Sequence, residues 1–157
     1  MVRGMTKAHS ESLAIFSLDG QSLALAVASV DTVVQAVEIA PLPGAPAGVR
    51  GIINVHGEVI PVFDLRVRFG AAERPLRLTD HLVIARTSRR KVALVVDAAI
   101  EVVNADEMRI VGAGEILPEF GAIEGVMKLA GDIVLIHDLD RFLSLEAEHE
   151  LAAALGA

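Results

Sequence analysis

The chain has 157 residues, 53% of them hydrophobic and only 3% aromatic, with no Trp, Tyr or Cys and a net charge of −7. That length suits one domain, or two small intimate ones, with ample apolar material for a core. Acidity and a lack of stacking rings argue against a nucleic-acid surface. The absence of cysteine excludes disulfides, thiolate nucleophiles and cysteine metal sites, and fits a reducing compartment.

Residues 1–11 are polar and read as a disordered tail; no apolar run follows their basic residues, so they do not form a signal peptide. No stretch approaches the ~18 apolar residues of a membrane span, so direct membrane insertion is not expected. Leu13 to Leu18 reads as a strand, Asp19-Gly20 as a hairpin turn and Leu23 to Val27 as the returning strand. Val30 to Ile39 is dominated by Val and ends at prolines, which favours strand over helix. Ala40 to Gly48, with three prolines and two glycines, is a stiff loop.

Gly51 to Phe69 then reads as strand, tight turn, strand and polar exit. Gly57 tolerates the positive φ that a hairpin turn needs. Pro61 lacks an N–H, which predicts an edge strand or a bulge there. Asp64 is expected to cap the exit by accepting a backbone N–H. Gly70 to Arg77 is a connection, His81 to Thr87 a strand, and Ser88-Arg-Arg-Lys91 a basic, solvated hairpin tip. Val92 to Val96 and Asp97 to Val103 are apolar and extended, and Asn104 to Glu119 reads as a loop. Gly125 to His137 is a second hairpin, and Asp138 to Leu155 has helical spacing of leucines.

The two hairpins repeat one another. Gly51/Gly125, Gly57/Gly131, Glu58/Asp132, Val59/Ile133, Asp64/Asp138 and Leu65/Leu139 recur at the same spacing, and Ser22–Val27 resembles Lys91–Val96. Two copies are too few for a solenoid. They predict two related small β units with the same local fold around each hairpin.

No catalytic constellation is visible. The five histidines show no spacing that sets two ligands on one face, and no phosphate-binding, dinucleotide or nucleophile-elbow motif occurs. Asp64 and Asp138 are better explained as turn caps than as a carboxylate pair. Neither an enzyme, a metal nor a cofactor is expected. What remains is an apolar β scaffold of the kind that presents docking faces to other proteins. A small sensory barrel that binds a metabolite is the competing reading.

Leu42-Pro-Gly-Ala-Pro46, Gly51 to Arg66, Val92 to Asp97 and Asp138 to Leu143 together resemble the CheW family of chemotaxis coupling proteins over about residues 12–145. The resemblance implies a mainly β fold of two intertwined SH3-like five-stranded β-barrels with a short C-terminal helix. It places one subdomain at about 20–85, the other at about 12–19 and 86–145, and a helical tail at 146–157. It implies a non-catalytic adaptor without cofactor, joining the cytoplasmic tip of methyl-accepting chemoreceptors to the regulatory domain of the histidine kinase CheA. Such a protein is cytoplasmic and recruited to membrane-bound receptor arrays. The implied receptor site comprises Val30, Thr32, Val33, Gly51, Asn54 and His56, with Gly57, Pro61, Asp64, Gly125, Gly131 and Asp138 as structural residues. Gly51→Asp is expected to abolish receptor binding while the fold survives. Two positions depart from the family pattern: His56 replaces an arginine and Thr32 a glutamate. Histidine changes charge near neutral pH whereas arginine does not, so partner binding is expected to depend on pH.

Overall fold

The computed structural model describes residues 12–35, 38–46, 48–67, 75–104, 110–112, 123–129, 132–139 and 145–156. The expected tail, residues 1–11, and Gly131 lie outside them. The strands are β1 (Ser12–Leu18), β2 (Gln21–Ala26), β3 (Val30–Gln35), β4 (Val49–Val55), β5 (Glu58–Phe63), β6 (His81–Arg86), β7 (Lys91–Val96), β8 (Ala98–Asn104), β9 (Ile110–Gly112), β10 (Ile123–Leu129) and β11 (Asp132–His137). One α-helix, α1, spans Leu145–Leu155. Gly156 follows it at φ +78°, and its N–H donates to Ala153 O at 3.2 Å, a left-handed glycine cap.

The strands form two sheets, ordered β8-β1-β2-β11-β10-β9 and β3-β6-β7-β5-β4. Apart from β9, they follow one plan. A central hairpin, β1–β2 or β6–β7, is flanked on one side by β8, which pairs antiparallel with β1, or by β3, which neighbours β6. On its other side it pairs parallel with the second strand of a further hairpin, β10–β11 or β4–β5. The registers agree as well. Ile136 pairs with Ala24 in one sheet and Val62 with Ala93 in the other, all at equivalent places in the two copies. Both hairpins also carry the same bulge, an extra residue at Glu124 between Ile123 and Gly125 and at Arg50 between Val49 and Gly51.

Each sheet mixes the two sequence copies. The hairpin β1–β2 belongs to the first copy but joins β8, β10 and β11 of the second. The hairpin β6–β7 belongs to the second copy but joins β3, β4 and β5 of the first.

The cores repeat too. Leu13, Ile15, Ala24, Met127, Val134 and Ile136 form one cluster, with Val103 against it. Their equivalents Leu82, Ile84, Ala93, Ile53, Ile60 and Val62, joined by Val95, form the other, with Val34 against it. Burying each large aliphatic side chain contributes about 1.5–3 kcal/mol, so these positions fix which face of every strand turns inward.

The chain divides into two compact units, one of Met1–Val30 with Ala98–Phe142 and one of Asp31–Asp97 with Leu143–Ala157. The sequence-based division, at about 19/20 and 85/86, falls instead in the β1–β2 turn and at the end of β6. Those hairpins are paired along their length, Leu18 to Gln21 and Arg86 to Lys91 included, so a break there would split a ladder. The chain passes between units only after each hairpin is complete.

Two further expectations change. The region expected as a loop, 104–119, contains β9, whose backbone pairs with Gly125–Met127. Strand β5, which carries Pro61, lies between β7 and β4 and is not an edge. Pro61 is tolerated for a local reason. Its partner across β4, Ile52, turns both backbone groups to Ala40, at 2.8 and 2.9 Å. The pairing of β5 with β7 begins at Val62, one residue later. No ladder bond is asked of the missing N–H. The neighbouring bulge is on β4, at Arg50.

Candidate docking site

The β4–β5 hairpin is shaped by its turn. His56 and Gly57 both have positive φ, +52° and +84°, the pattern of a two-residue hairpin turn whose twist matches the strands. Asn54 Oδ1 accepts the Gly57 N–H at 2.8 Å and fixes the bend. Asn54 and His56 are exposed.

Gly51 is buried in β4 at φ +145°. A Cβ there would lie 2.2 Å from Ala40 O and 2.7 Å from Ile39 Cγ2. The Ala40–Ile52 bridge holds that carbonyl in place and ties the segment after β3 to β4. Gly51 is therefore a requirement of the backbone. The expectation that Gly51→Asp spares the fold is corrected, because the side chain would have to displace main chain.

Of the remaining expected site residues, Val30, Thr32 and Val33 lie on β3, with Thr32 exposed and the two valines half-buried. β3 and β4 occupy opposite ends of their sheet's strand order, and the Ala40–Ile52 bridge links the segment that joins them. Gly125 lies in β10, opposite Gly112 of β9. Asp138 directly follows β11 and is half-buried.

Charged side chains cross the strands beside Thr32. Asp31 on β3 pairs with Arg86 on β6 at 3.2 Å and with Lys91 on β7 at 3.1 Å, and Lys91 reaches Glu58 on β5 at 3.3 Å. The Lys91 ammonium holds the Asp31 carboxyl below its ordinary range, and Asp31 in turn raises Lys91. These groups are exposed, so the network positions side chains more than it stabilises the fold.

A second network is buried, and sequence reasoning did not identify it. Asp64 Oδ1 accepts the backbone N–H of Arg66 at 3.0 Å, the cap expected for it. Its carboxylate also takes Arg50 Nη1 at 2.8 Å and Arg66 Nη1 at 3.3 Å. Arg66, 1% exposed, extends its other guanidinium nitrogen to Asp97 Oδ1 at 2.7 Å. Carboxylates at both ends of the guanidinium are what permit a buried arginine. The available signal was Asp-x-Arg at the strand exit; the Arg50 contribution depends on a bulge that spacing does not reveal. At the corresponding places of the second copy stand Glu124 and Asp140, so Asp138 does not have this arrangement of arginines.

Among the described residues no group of three His, Asp or Glu could hold a metal ion. A hollow of about 350 Å³ is lined by Gly20, Gln21, Ser22, Ile133 and Leu135. None of these side chains carries a charge that would orient a small metabolite.

Two sheets on one plan, each with its own apolar core and with charges arrayed on the strands, define a duplicated β scaffold. The chain belongs to the CheW-like domain family, which matches residues 12–147. It is 25% identical over 146 residues to the chemotaxis protein CheW of Treponema pallidum, covering 89% of this chain and 86% of that one. It is 30% identical over 114 residues to CheW of Rhizobium meliloti, covering 71% and 73%. The crystal structure of the scaffolding protein TtCheW from Thermoanaerobacter tengcongensis is similar at a TM-score of 0.78 and 29% identity, covering 88% of this chain and 95% of that one.

Proposed function

We propose that this protein is a non-catalytic adaptor of chemotaxis signalling that joins the cytoplasmic tip of methyl-accepting chemoreceptors to the regulatory domain of the histidine kinase CheA. The observation that carries this reading is the family match along residues 12–147, on a chain that spans most of the length of its chemotaxis relatives. The non-catalytic role agrees with the scaffolding description of the structural relative. On this reading the protein works in the cytoplasm and reaches receptor arrays through its partners; no described helix is long and apolar enough to cross a membrane.

The receptor surface in this reading uses β3 and the β4–β5 turn. Val30 and Val33 offer apolar contact, and Thr32, Asn54 and His56 offer polar anchors to a helical hairpin. Gly51 contributes by letting Ala40 pack against β4. Calorimetric titration of the full chain with the kinase regulatory domain and with a receptor-tip fragment tests the proposal. Both are expected to bind, and to bind together. A folded protein that takes neither overturns it.

A further inference from the structure

The β1–β2 and β6–β7 hairpins are equivalent in the two sheets, so each is a control for the other. Ile15 pairs with Ala24 as Ile84 pairs with Ala93; the first ladder runs on to Leu18–Gln21, and the second ends one pair earlier, at Arg86–Lys91. Over the first tip, residues 17–22, the sequence is Ser-Leu-Asp-Gly-Gln-Ser; over the second, residues 86–91, it is Arg-Thr-Ser-Arg-Arg-Lys. Thus one acid and no base stand where the second tip has four bases. The fold does not ask for those four, because the first tip closes the same hairpin without them.

The basic tip is also built differently. The first turn uses left-handed residues, Asp19 at φ +50° and Gly20 at φ +79°. In the second, Ser88 and Arg89 have no such conformation, and the side chain of Thr87 holds the bend. Thr87 Oγ1 donates to Arg90 O at 2.9 Å and accepts the N–H groups of Arg89 and Arg90 at 3.2 and 3.1 Å. Thr87 is 8% exposed, so the anchor is fixed in the body of the sheet while Ser88 and Arg89 project. At the base of the tip, Arg86 and Lys91 are oriented by Asp31 and Glu58. Arg86 remains 61% exposed in spite of its pair. The outcome is a turn with an ordered backbone that carries four basic residues, on a chain whose net charge is −7. A basic turn of this kind recruits carboxylates through steering and charge-assisted hydrogen bonds, and prior ordering of its backbone lowers the entropic cost of binding.

We infer that the 86–91 tip is a docking point for an acidic segment of a partner protein, and that the equivalent 17–22 tip is not. An acidic protein segment is favoured over a flat anionic surface because the cluster is one narrow turn. The acidic bulk of the chain would be repelled by an extended negative plane.

The probe is a fluorescent oligoglutamate peptide, with oligoglutamine as its neutral counterpart, titrated against the full chain by anisotropy at low and raised salt. Anionic phosphatidylserine vesicles form a parallel arm. The variants are Arg89→Ser with Arg90→Gln, and the single reversal Arg89→Glu, each checked by circular dichroism. Oligoglutamate is expected to bind with salt-sensitive affinity, and both variants to weaken it about tenfold or more. Amide shifts in an NMR titration are expected at 86–91 and not at 17–22. Binding unchanged in both folded variants, shifts of equal size at the two tips, or binding to vesicles with none to oligoglutamate would each overturn the inference.

Discussion

His137 stands in one sheet where Phe63 stands in the other. Each directly follows the equivalent parallel pair, Ile136–Ala24 or Val62–Ala93. Both are buried, at 7% and 4% exposure. An imidazole thus fills the place of a phenyl ring, and burial pushes its pKa from 6.5 down to about 4. The unfolded chain takes up a proton near the higher value and the folded chain only near the lower. Stability from this group is therefore full above the unfolded value and is lost as pH falls between the two, by at most about 3 kcal/mol. His137→Phe is expected to flatten that dependence. Urea unfolding at about pH 7.5 and about pH 5 measures it, and an equally steep loss in the variant would acquit the histidine.

Gly51 and Gly57 make a contrast within one hairpin. Both have positive φ, yet a Cβ at Gly57 meets open space and one at Gly51 meets the Ala40 carbonyl. Gly57→Ala is expected to cost about 1 kcal/mol, from conformation alone. Gly51→Ala is expected to cost about 3 kcal/mol or more, because main chain must move as well. Thermal melts of the two variants side by side test the ranking; equal losses would remove the clash as a cause.

Removing Arg66 leaves its share of the Asp64 and Asp97 charge uncompensated in or near the core. Arg66→Met is expected to cost about 3–5 kcal/mol, and Arg50→Met distinctly less because Arg50 is partly solvated. Arg66→Lys should rescue little, since a single ammonium cannot span both carboxylates as the planar guanidinium does. Chemical denaturation of the three variants separates these outcomes; a fully stable Arg66→Lys protein would show that charge, and not geometry, matters.

His56 carries a left-handed backbone that glycine adopts freely. His56→Gly is expected to raise stability by about 0.5–1 kcal/mol, whereas His56→Arg leaves it nearly unchanged. The arginine variant therefore isolates charge at the turn. If His56 contacts an acidic partner, His56→Arg is expected to strengthen receptor-tip affinity and His56→Gly to weaken it. Equal affinities of the two variants and the unaltered protein would take His56 out of the interface electrostatics.

The duplication was legible because it rests on spacing: Gly51 with Gly125 and Asp64 with Asp138 recur in register. The strands were legible because Val and Ile alternate along them. The exchange of hairpins between sheets was not, since Leu13 and Leu82 are equally suited to either core and only three-dimensional pairing assigns them. Pro61 misled for a related reason: whether a missing N–H matters depends on which neighbour it would face. The short β9 was hidden in a stretch rich in turn residues, because three residues carry no periodicity. At the candidate site, the exposure of His56 was legible from its place before Gly57 at a turn, whereas the room Gly51 leaves for the Ala40 carbonyl was not, because that contact comes from a segment outside the hairpin.

The mixing of copies within each sheet has a consequence for how the molecule can be divided. A polypeptide of one copy alone holds a hairpin whose flanking strands lie in the other, so neither half contains a finished sheet. The protein is topologically an exchange dimer closed into one chain. The natural place to open it is the turn before β6, where Leu78 is 88% exposed. Fragments 1–78 and 79–157 should each be unstructured when purified, and should regain the circular dichroism of the intact chain on mixing, with a midpoint set by concentration. A fragment that folds alone would show that one copy is self-sufficient.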